Sequence, residues 1–174
     1  MKYVILITAL FMITTLAPAK EVKTGALTLN IPDTWVQEKV RSAMRAAQFV
    51  VPGSDAKPEE AGELVIFYFG PQQGGTVDAN IQRWVGQFVE KGRDVKKDQG
   101  DSANGQYNLV NITGTYNKPF GPPFARQSKP APGYQMLAIT VNTPKGNYFL
   151  KLTGPVAGRL PAVHGLGQRP DHPA

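Results

Sequence analysis

The feature that most constrains this chain is the apolar and aromatic run ELVIFYF at residues 63–69. A strand with one solvated face alternates apolar and polar residues, but this run has no charged residue after its first position. Such a strand is typical of the middle of a sheet that is covered on both faces. The chain is therefore expected to build a sheet with other elements packed on each side of it.

Further strands are predicted where apolar residues alternate or turn signals flank them. In residues 26–31 (ALTLNI), the side chains of Leu27, Leu29 and Ile31 share one face. The other predicted strands are residues 43–51, 107–116, 135–142 and 147–153, with a hairpin turn at 143–146. A helix over 36–48 competes with the 43–51 strand, since its Ala, Gln, Glu, Lys and Arg residues favour helix.

One amphipathic helix is predicted at about residues 77–91. Thr76 suits its N-cap, Asp78 its first turn and Gly92 its end. An apolar stripe at helical spacing follows one face: Val77, Ile81, Trp84, Val85, Phe88 and Val89. The element order β-β-β-α-β-β-β indicates an α+β fold, a largely antiparallel sheet with one main helix packed on it.

Three internal segments are predicted to be loops. Residues 53–62 and 93–106 are polar, and the second is expected to be mobile. Residues 117–133 contain five prolines and predict a long loop of extended character.

The first 19 residues have the pattern of a secretory signal peptide. Lys2 precedes an apolar stretch at 4–16, and Ala17-Pro18-Ala19 fits an A-x-A cleavage site. The alternative is a membrane anchor, but a spanning helix needs ~20 apolar residues, and Lys20 and Glu21 follow directly. We therefore expect cleavage after Ala19, a bacterial protein in the periplasm or medium, no membrane span in the mature chain, and a single domain at 20–153.

Residues 154–174 form a Pro- and Gly-rich tail without helical or strand periodicity. One interpretation is a disordered tail. The other is a sequence out of frame with an ancestral helix, because one helix cannot cover both faces of a six-stranded sheet.

Composition excludes several chemistries. The chain has no Cys and two His, so disulfides, thiolate catalysis and Cys-ligated metals are excluded, and neither a metal nor a cofactor is expected. The net charge is +6, but the basic residues are scattered and Lys96-Lys97 is their only adjacent pair. Nucleic acid is therefore not expected as a partner, whereas an unknown envelope protein or an anionic surface is.

A Gly-rich turn at 70–75 precedes the predicted helix and could bind an anion at the helix N-terminus. The candidate ligand-binding residues are the backbone of Gly74, Gly75 and Thr76 with the side chains of Asn80, Arg83 and Gln87. The spacing matches neither a P-loop nor a dinucleotide fingerprint. A tight structural turn beside a solvated helix face explains the same residues.

The Pro-rich segment provides a second candidate, an interaction surface made by Phe120, Phe124, Arg126 and Lys129. Aromatic residues with arginine are enriched at binding centres. Alternatively, both phenylalanines pack back onto the sheet.

A strand followed by Ile31-Pro32-Asp33-Thr34-Trp35, then the 63–69 strand and the 77–91 helix, resembles the PsbP-like α/β/α-sandwich superfamily. Residues 69–75 with 80–84 are similar to an uncharacterised family of small exported bacterial proteins. The resemblance implies a C-terminal helix, which residues 154–174 do not provide, and it implies no activity.

These patterns predict an exported accessory or protein-interaction domain that is not an enzyme. The alternative is a binder of a small anion or glycan at the Gly70–Arg83 corner. An envelope hydrolase is a third hypothesis, disfavoured because the carboxylates of Glu59, Glu60 and Glu63 are expected to be solvated and no G-x-S-x-G motif is present.

Overall fold

The computed structural model describes residues 18–40, 42–53, 61–122 and 125–155. The strands and the helix in these ranges are β1 Ala19–Thr24, β2 Leu27–Pro32, β3 Val36–Gln37, β4 Arg45–Val51, β5 Gly62–Tyr68, α1 Val77–Val85, β6 Asp94–Ser102, β7 Gly105–Pro119, β8 Ser128–Thr143 and β9 Gly146–Pro155.

Seven of the strands form one antiparallel sheet in the order β3-β4-β5-β9-β8-β7-β6. The apolar run at 63–69 is β5, which lies between β4 and β9, so its prediction as an interior strand is confirmed. Strands β1 and β2 form a separate two-stranded hairpin. The predicted α+β class with a mostly antiparallel sheet is confirmed.

The hairpin covers one face of the large sheet. The predicted apolar face of β2 is fully buried there and packs with Trp35 against β4, β5, β8 and β9. Hydrogen bonds between backbone and side-chain groups attach the hairpin to the sheet, including Ala26 N–H to the Tyr148 hydroxyl at 2.9 Å. Most of the buried apolar side chains belong to this layer, so burial there supplies the main driving force for folding.

Helix α1 covers the opposite face. Its stripe residues Ile81 and Trp84 are buried with Phe88 against β7, β8 and the ring of Phe149 in β9. The Thr76 hydroxyl accepts the Ala79 N–H, which confirms the predicted N-cap. Helix and hairpin thus lie on opposite sides of the sheet, as the apolar β5 requires.

The predicted helix end at Gly92 is wrong, because α1 ends at Val85 with Gly86 as its cap. The following residues run alongside β7 instead: Val89 N–H donates to Thr115 O at 2.9 Å, and Asn117 N–H to Gln87 O at 2.8 Å. These bonds to the sheet replace further helical turns. Phe88 remains buried, but Val89 is exposed.

Two predicted loops are strands. Residues 93–106 contain β6, which is the edge of the sheet, and most of residues 117–133 belong to β7 and β8. The competing helix over 36–48 is also wrong, since that part of the chain contains β3 and the start of β4. Strand β1 has no counterpart among the predicted elements.

Several predictions lie outside the described residues: most of the signal peptide, the tail after residue 155, Phe124, Glu59 and Glu60. Within the described ranges, no helix is long and apolar enough to cross a membrane.

Candidate functional site

The Gly-rich turn is tied to α1 by Asn80, which is 2% exposed. The Asn80 side-chain amide donates to Gly74 O at 2.8 Å and to Thr76 O at 2.9 Å. Arg83, on the exposed side of the helix, donates to Asn80 Oδ1 at 3.1 Å. The Asn80 Nδ2 group therefore holds the turn while its Oδ1 accepts from Arg83, and anion binding here stays a prediction.

The turn also needs glycine for packing. Gly74 has a φ of 93°, and a Cβ at this position would collide with the ring of Phe149. The glycine therefore lets the turn lie directly on the aromatic ring that α1 also covers.

Gln87 lies just after the end of α1, where its Nε2 donates to the Arg83 carbonyl at 3.4 Å, and its Oε1 belongs to a different group of side chains. Its Oε1 accepts from Lys151 Nζ at 3.3 Å and from the Tyr116 hydroxyl at 3.5 Å. These groups, with Thr153 and Glu63 beside them, form what we call the Lys151 cluster: Glu63, Gln87, Tyr116, Lys151 and Thr153. Sequence reasoning missed the cluster, although Lys151 is the only charged residue in the predicted strand 147–153.

The sheet register places the cluster on the helix-bearing face. Lys151 and Thr153 are two residues apart in β9, so their side chains lie on the same face as that of Phe149. Glu63 in β5 is directly opposite Thr153. Tyr116 comes from β7, and Gln87 from the segment after α1.

Burial shifts two pKa values in the cluster. Desolvation lowers the pKa of Lys151, the attraction of Glu63 opposes this shift, and the repulsion of Arg45 adds to it. Desolvation, followed by the negative charge of Glu63 and an interaction with Tyr134, raises the pKa of Tyr116 to about 12. At neutral pH the Tyr116 hydroxyl is therefore a hydrogen-bond donor.

Thr153 carries an orphaned polar atom. Its hydroxyl is buried and has no hydrogen-bond partner among the described residues; the same holds for Thr140, which is in a different row of the sheet, opposite Phe149. Buried hydroxyls normally have a partner. The Thr153 hydroxyl thus adds a polar group without a described partner to the face that holds Lys151.

The Glu63 carboxylate has its own partner. Arg45 Nη1 lies 3.2 Å from Glu63 Oε1, and Arg45 also stacks over the ring of Phe67 at 5.9 Å. Both charged side chains are partly exposed at the margin of the cluster. Among the described residues, Lys151 has no such carboxylate partner.

An aromatic row extends from the cluster toward the end of β7. The rings of Phe88, Tyr116 and Tyr134 follow one another at centroid distances of 5.2 and 5.6 Å. Lys118 Nζ then donates to the Tyr134 hydroxyl at 3.0 Å. This row joins the Lys151 cluster to the Pro-rich segment.

The Pro-rich segment forms the end of a two-stranded ribbon. Beyond the pair Tyr134↔Pro155, where β9 ends, β7 and β8 continue together to the pair Pro119↔Ser128. We call residues 117–122 with 125–130 the ribbon tip. Phe120 is 46% exposed there, and Arg126 and Lys129 are exposed as well.

The structure thus defines an α+β domain with a hairpin and a helix on opposite faces of an antiparallel sheet. It is similar to cyanobacterial PsbP from Synechocystis, with 12% identity over 82% of this chain and 83% of that one and a TM-score of 0.47. It is also similar to PA94 of Pseudomonas aeruginosa, a protein of unknown function, with 13% identity over 80% and 85% of the two chains and a TM-score of 0.42. A PsbP is thus among the structures that this chain resembles, as the sequence predicts.

No family model matches the chain. No curated protein matches it either. Neither structural similarity brings a ligand, a partner or a residue role to this chain.

Proposed function

We propose that this chain is an exported, non-catalytic interaction domain whose ribbon tip binds an acidic surface of an envelope protein. The observation that carries the proposal is the ribbon tip itself, an exposed phenylalanine among basic residues at the end of a two-stranded arm. The proposed export depends on the signal-peptide pattern of residues 1–19.

The geometry of the arm favours docking. Near Phe120, β7 and β8 pair only with each other among the described residues. The tip therefore extends beyond the ends of β6 and β9, the strands that flank β7 and β8 in the rest of the sheet. A protruding arm can enter a concave surface on a partner. Phe120 supplies the apolar contact that interface centres favour.

The charge pattern favours an acidic partner. Lys118 and Lys129 are directly opposite each other in the ribbon register, and two like charges in this position repel each other. Among the described residues, Arg126 and Lys129 form no ion pair. A carboxylate-rich partner would relieve this repulsion, and the net charge of +6 would steer its approach.

The test compares two charge-matched variants of the full chain. The wild-type chain and each variant are expressed with residues 1–19 in a bacterial host. Envelope proteins that bind the wild-type chain are identified by mass spectrometry, and an acidic one is then purified and titrated with each variant. We expect Phe120→Ala with Lys129→Glu to weaken binding of a purified acidic partner by about tenfold or more. Lys97→Glu, on the exposed edge strand β6, changes the charge equally and is expected to leave binding nearly unchanged.

Two results would overturn the proposal. One is equal binding by the tip variant and the wild-type chain. The other is recovery of the chain with residues 1–19 still attached from the cytoplasm only, since an envelope partner would then be out of reach. N-terminal sequencing of the mature protein is expected to begin at Lys20.

A further inference from the structure

We propose that the Lys151 cluster binds a small carboxylate-bearing ligand, held by Lys151, Tyr116 and Thr153. This site is separate from the ribbon tip, and the proposal does not depend on the docking function. The argument depends on the balance of donors and acceptors, on charge, and on the position of the cluster in the sheet.

Among the described residues, Lys151, Tyr116 and Thr153 offer more donors than the acceptors they use. The Lys151 ammonium offers three N–H groups and Tyr116 one O–H, yet both donate to the single acceptor atom Gln87 Oε1. The Thr153 hydroxyl has no partner among the residues that the structure describes. Groups with unused donors at partly buried positions favour a ligand that brings oxygen acceptors.

The charge of the cluster favours a monoanion. Arg45 and Glu63 neutralise each other as an ion pair, which leaves the positive charge of Lys151 without a carboxylate partner among the described residues. A ligand with one negative charge completes the balance. A doubly charged phosphate would also face the nearby Glu63 carboxylate, so a carboxylate fits better.

The donors come from different parts of the fold but converge. Lys151 and Tyr116 both donate to the same oxygen atom of Gln87. Thr153 is the next residue after Lys151 on the same face of β9. A carboxylate has two oxygens, which can accept from two or three such donors at once. One carboxylate oxygen would accept a hydrogen bond from the Lys151 ammonium group, and the other would accept one from the Thr153 or Tyr116 hydroxyl.

A structural role alone explains these residues poorly. Phe149, the neighbour of Lys151 on this face of β9, is buried and apolar, and an apolar residue at 151 would likewise avoid the cost of burying an ammonium group. Likewise, a valine at 153 would fill the same space without leaving a hydroxyl unpartnered. Retaining both polar groups is understandable if a ligand satisfies them.

The experiment is calorimetric titration of the full chain with acetate, propionate and benzoate at constant ionic strength and neutral pH. We expect saturable binding of at least one carboxylate to the wild-type protein. Thr153→Val is nearly isosteric and is expected to keep the fold while it weakens binding several-fold. Lys151→Met is expected to weaken binding by about tenfold or more, because it removes a charge-assisted hydrogen bond.

The matched control is Lys97→Met. Lys97 lies in the same register row and on the same face as Lys151, but on the exposed edge strand β6. Its removal changes the net charge equally, and binding is expected to be unchanged.

Three outcomes would overturn the site. They are the absence of saturable carboxylate binding to the wild-type chain, binding that Thr153→Val and Lys151→Met both leave intact, and preferential binding of inorganic phosphate. None of them bears on the ribbon tip, which is tested with different variants and a protein partner. Thermal melts of each variant show whether it is folded before the titrations are compared.

Discussion

The side-chain amide of Asn104 forms two hydrogen bonds with the backbone of Thr28. Asn104 Nδ2 donates to Thr28 O at 2.8 Å, and Thr28 N–H donates to Asn104 Oδ1 at 2.9 Å. Asn104 lies in the turn between β6 and β7, whereas Thr28 lies in β2 of the hairpin. The amide thereby satisfies the edge of β2 that faces away from β1 and attaches the hairpin to the far side of the sheet.

Asn104→Asp is expected to lower the free energy of unfolding by about 1–3 kcal/mol. An aspartate keeps the acceptor for Thr28 N–H but places a carboxylate oxygen against the Thr28 carbonyl, so both groups repel. Urea unfolding followed by circular dichroism measures the effect. The control is Gln106→Glu, an exposed side chain two residues away that undergoes the same charge change. Equal losses in the two variants would mean that the paired amide does not hold the hairpin.

The sequence predicts the interior of the sheet well because burial on one or both faces leaves a regular pattern. It does not predict β6, whose sequence DVKKDQGDS is mostly charged and polar. An edge strand with charged side chains is protected from pairing with other chains, and its composition is that of a loop. Its single β-branched residue is Val95, which is half-buried, so the sequence of β6 carries little signal for a strand.

The sequence does not predict the ribbon of β7 and β8 either, because its composition is also that of a loop. Prolines cannot donate to a sheet, so Pro130 and its neighbours indicate a loop. Among the described residues, however, β8 has no second partner strand beside Pro130, and such an edge tolerates proline. The Lys151 cluster is a tertiary arrangement of β5, β7, β9 and the segment after α1. A lone lysine in an apolar strand marks one member, but no spacing rule connects it with Tyr116 or Gln87.

Gly74→Ala is expected to destabilise the fold more than Gly92→Ala. Both glycines have a positive φ, 93° and 77°, so an alanine costs about 1–2 kcal/mol of backbone strain at either site. At Gly74 the new methyl group also meets the Phe149 ring, whereas nothing lies within 4 Å of a Cβ at Gly92. Overpacking typically adds about 1–3 kcal/mol. Equal midpoints of thermal unfolding for the two variants would contradict the close contact of the turn with Phe149.

Tyr116 is expected to make the fold sensitive to alkali. Its pKa is raised from 10.0 to about 12 in the folded chain, mainly by burial. Between these values the unfolded chain loses the proton and the folded chain keeps it, so stability is present below pH 10 and falls as the pH rises. For this group the free energy of unfolding decreases by about 1.4 kcal/mol per pH unit within the window.

Urea unfolding between pH 9 and 12 tests this linkage. Tyr116→Phe has no hydroxyl to titrate and is expected to have a shallower decline over this range than the wild-type chain. Tyr107→Phe, in the same strand but on the hairpin side of the sheet, removes a hydroxyl and leaves Tyr116 in place, so its profile is expected to match the wild type. Parallel profiles for Tyr116→Phe and wild type would exclude Tyr116 as the source.

Lys151→Met is expected to stabilise the ligand-free protein at neutral pH, with a gain that disappears in alkali. Burial lowers the pKa of Lys151 below its ordinary value of 10.5, against the attraction of Glu63 and with the repulsion of Arg45, while Gln87 and Tyr116 are its uncharged neighbours. The unfolded chain therefore holds this proton more tightly, and the charged lysine opposes folding at every pH below the folded pKa. As the pH rises through the folded pKa and past 10.5, both states become neutral and the opposition vanishes.

Urea midpoints at pH 7 and in alkali measure the difference between the variant and the wild type. Lys97→Met, with its exposed side chain, is expected to show no comparable gain. A loss of stability in ligand-free Lys151→Met at pH 7 would instead make Lys151 a net structural contact, and the carboxylate titrations would then have to rely on Thr153→Val.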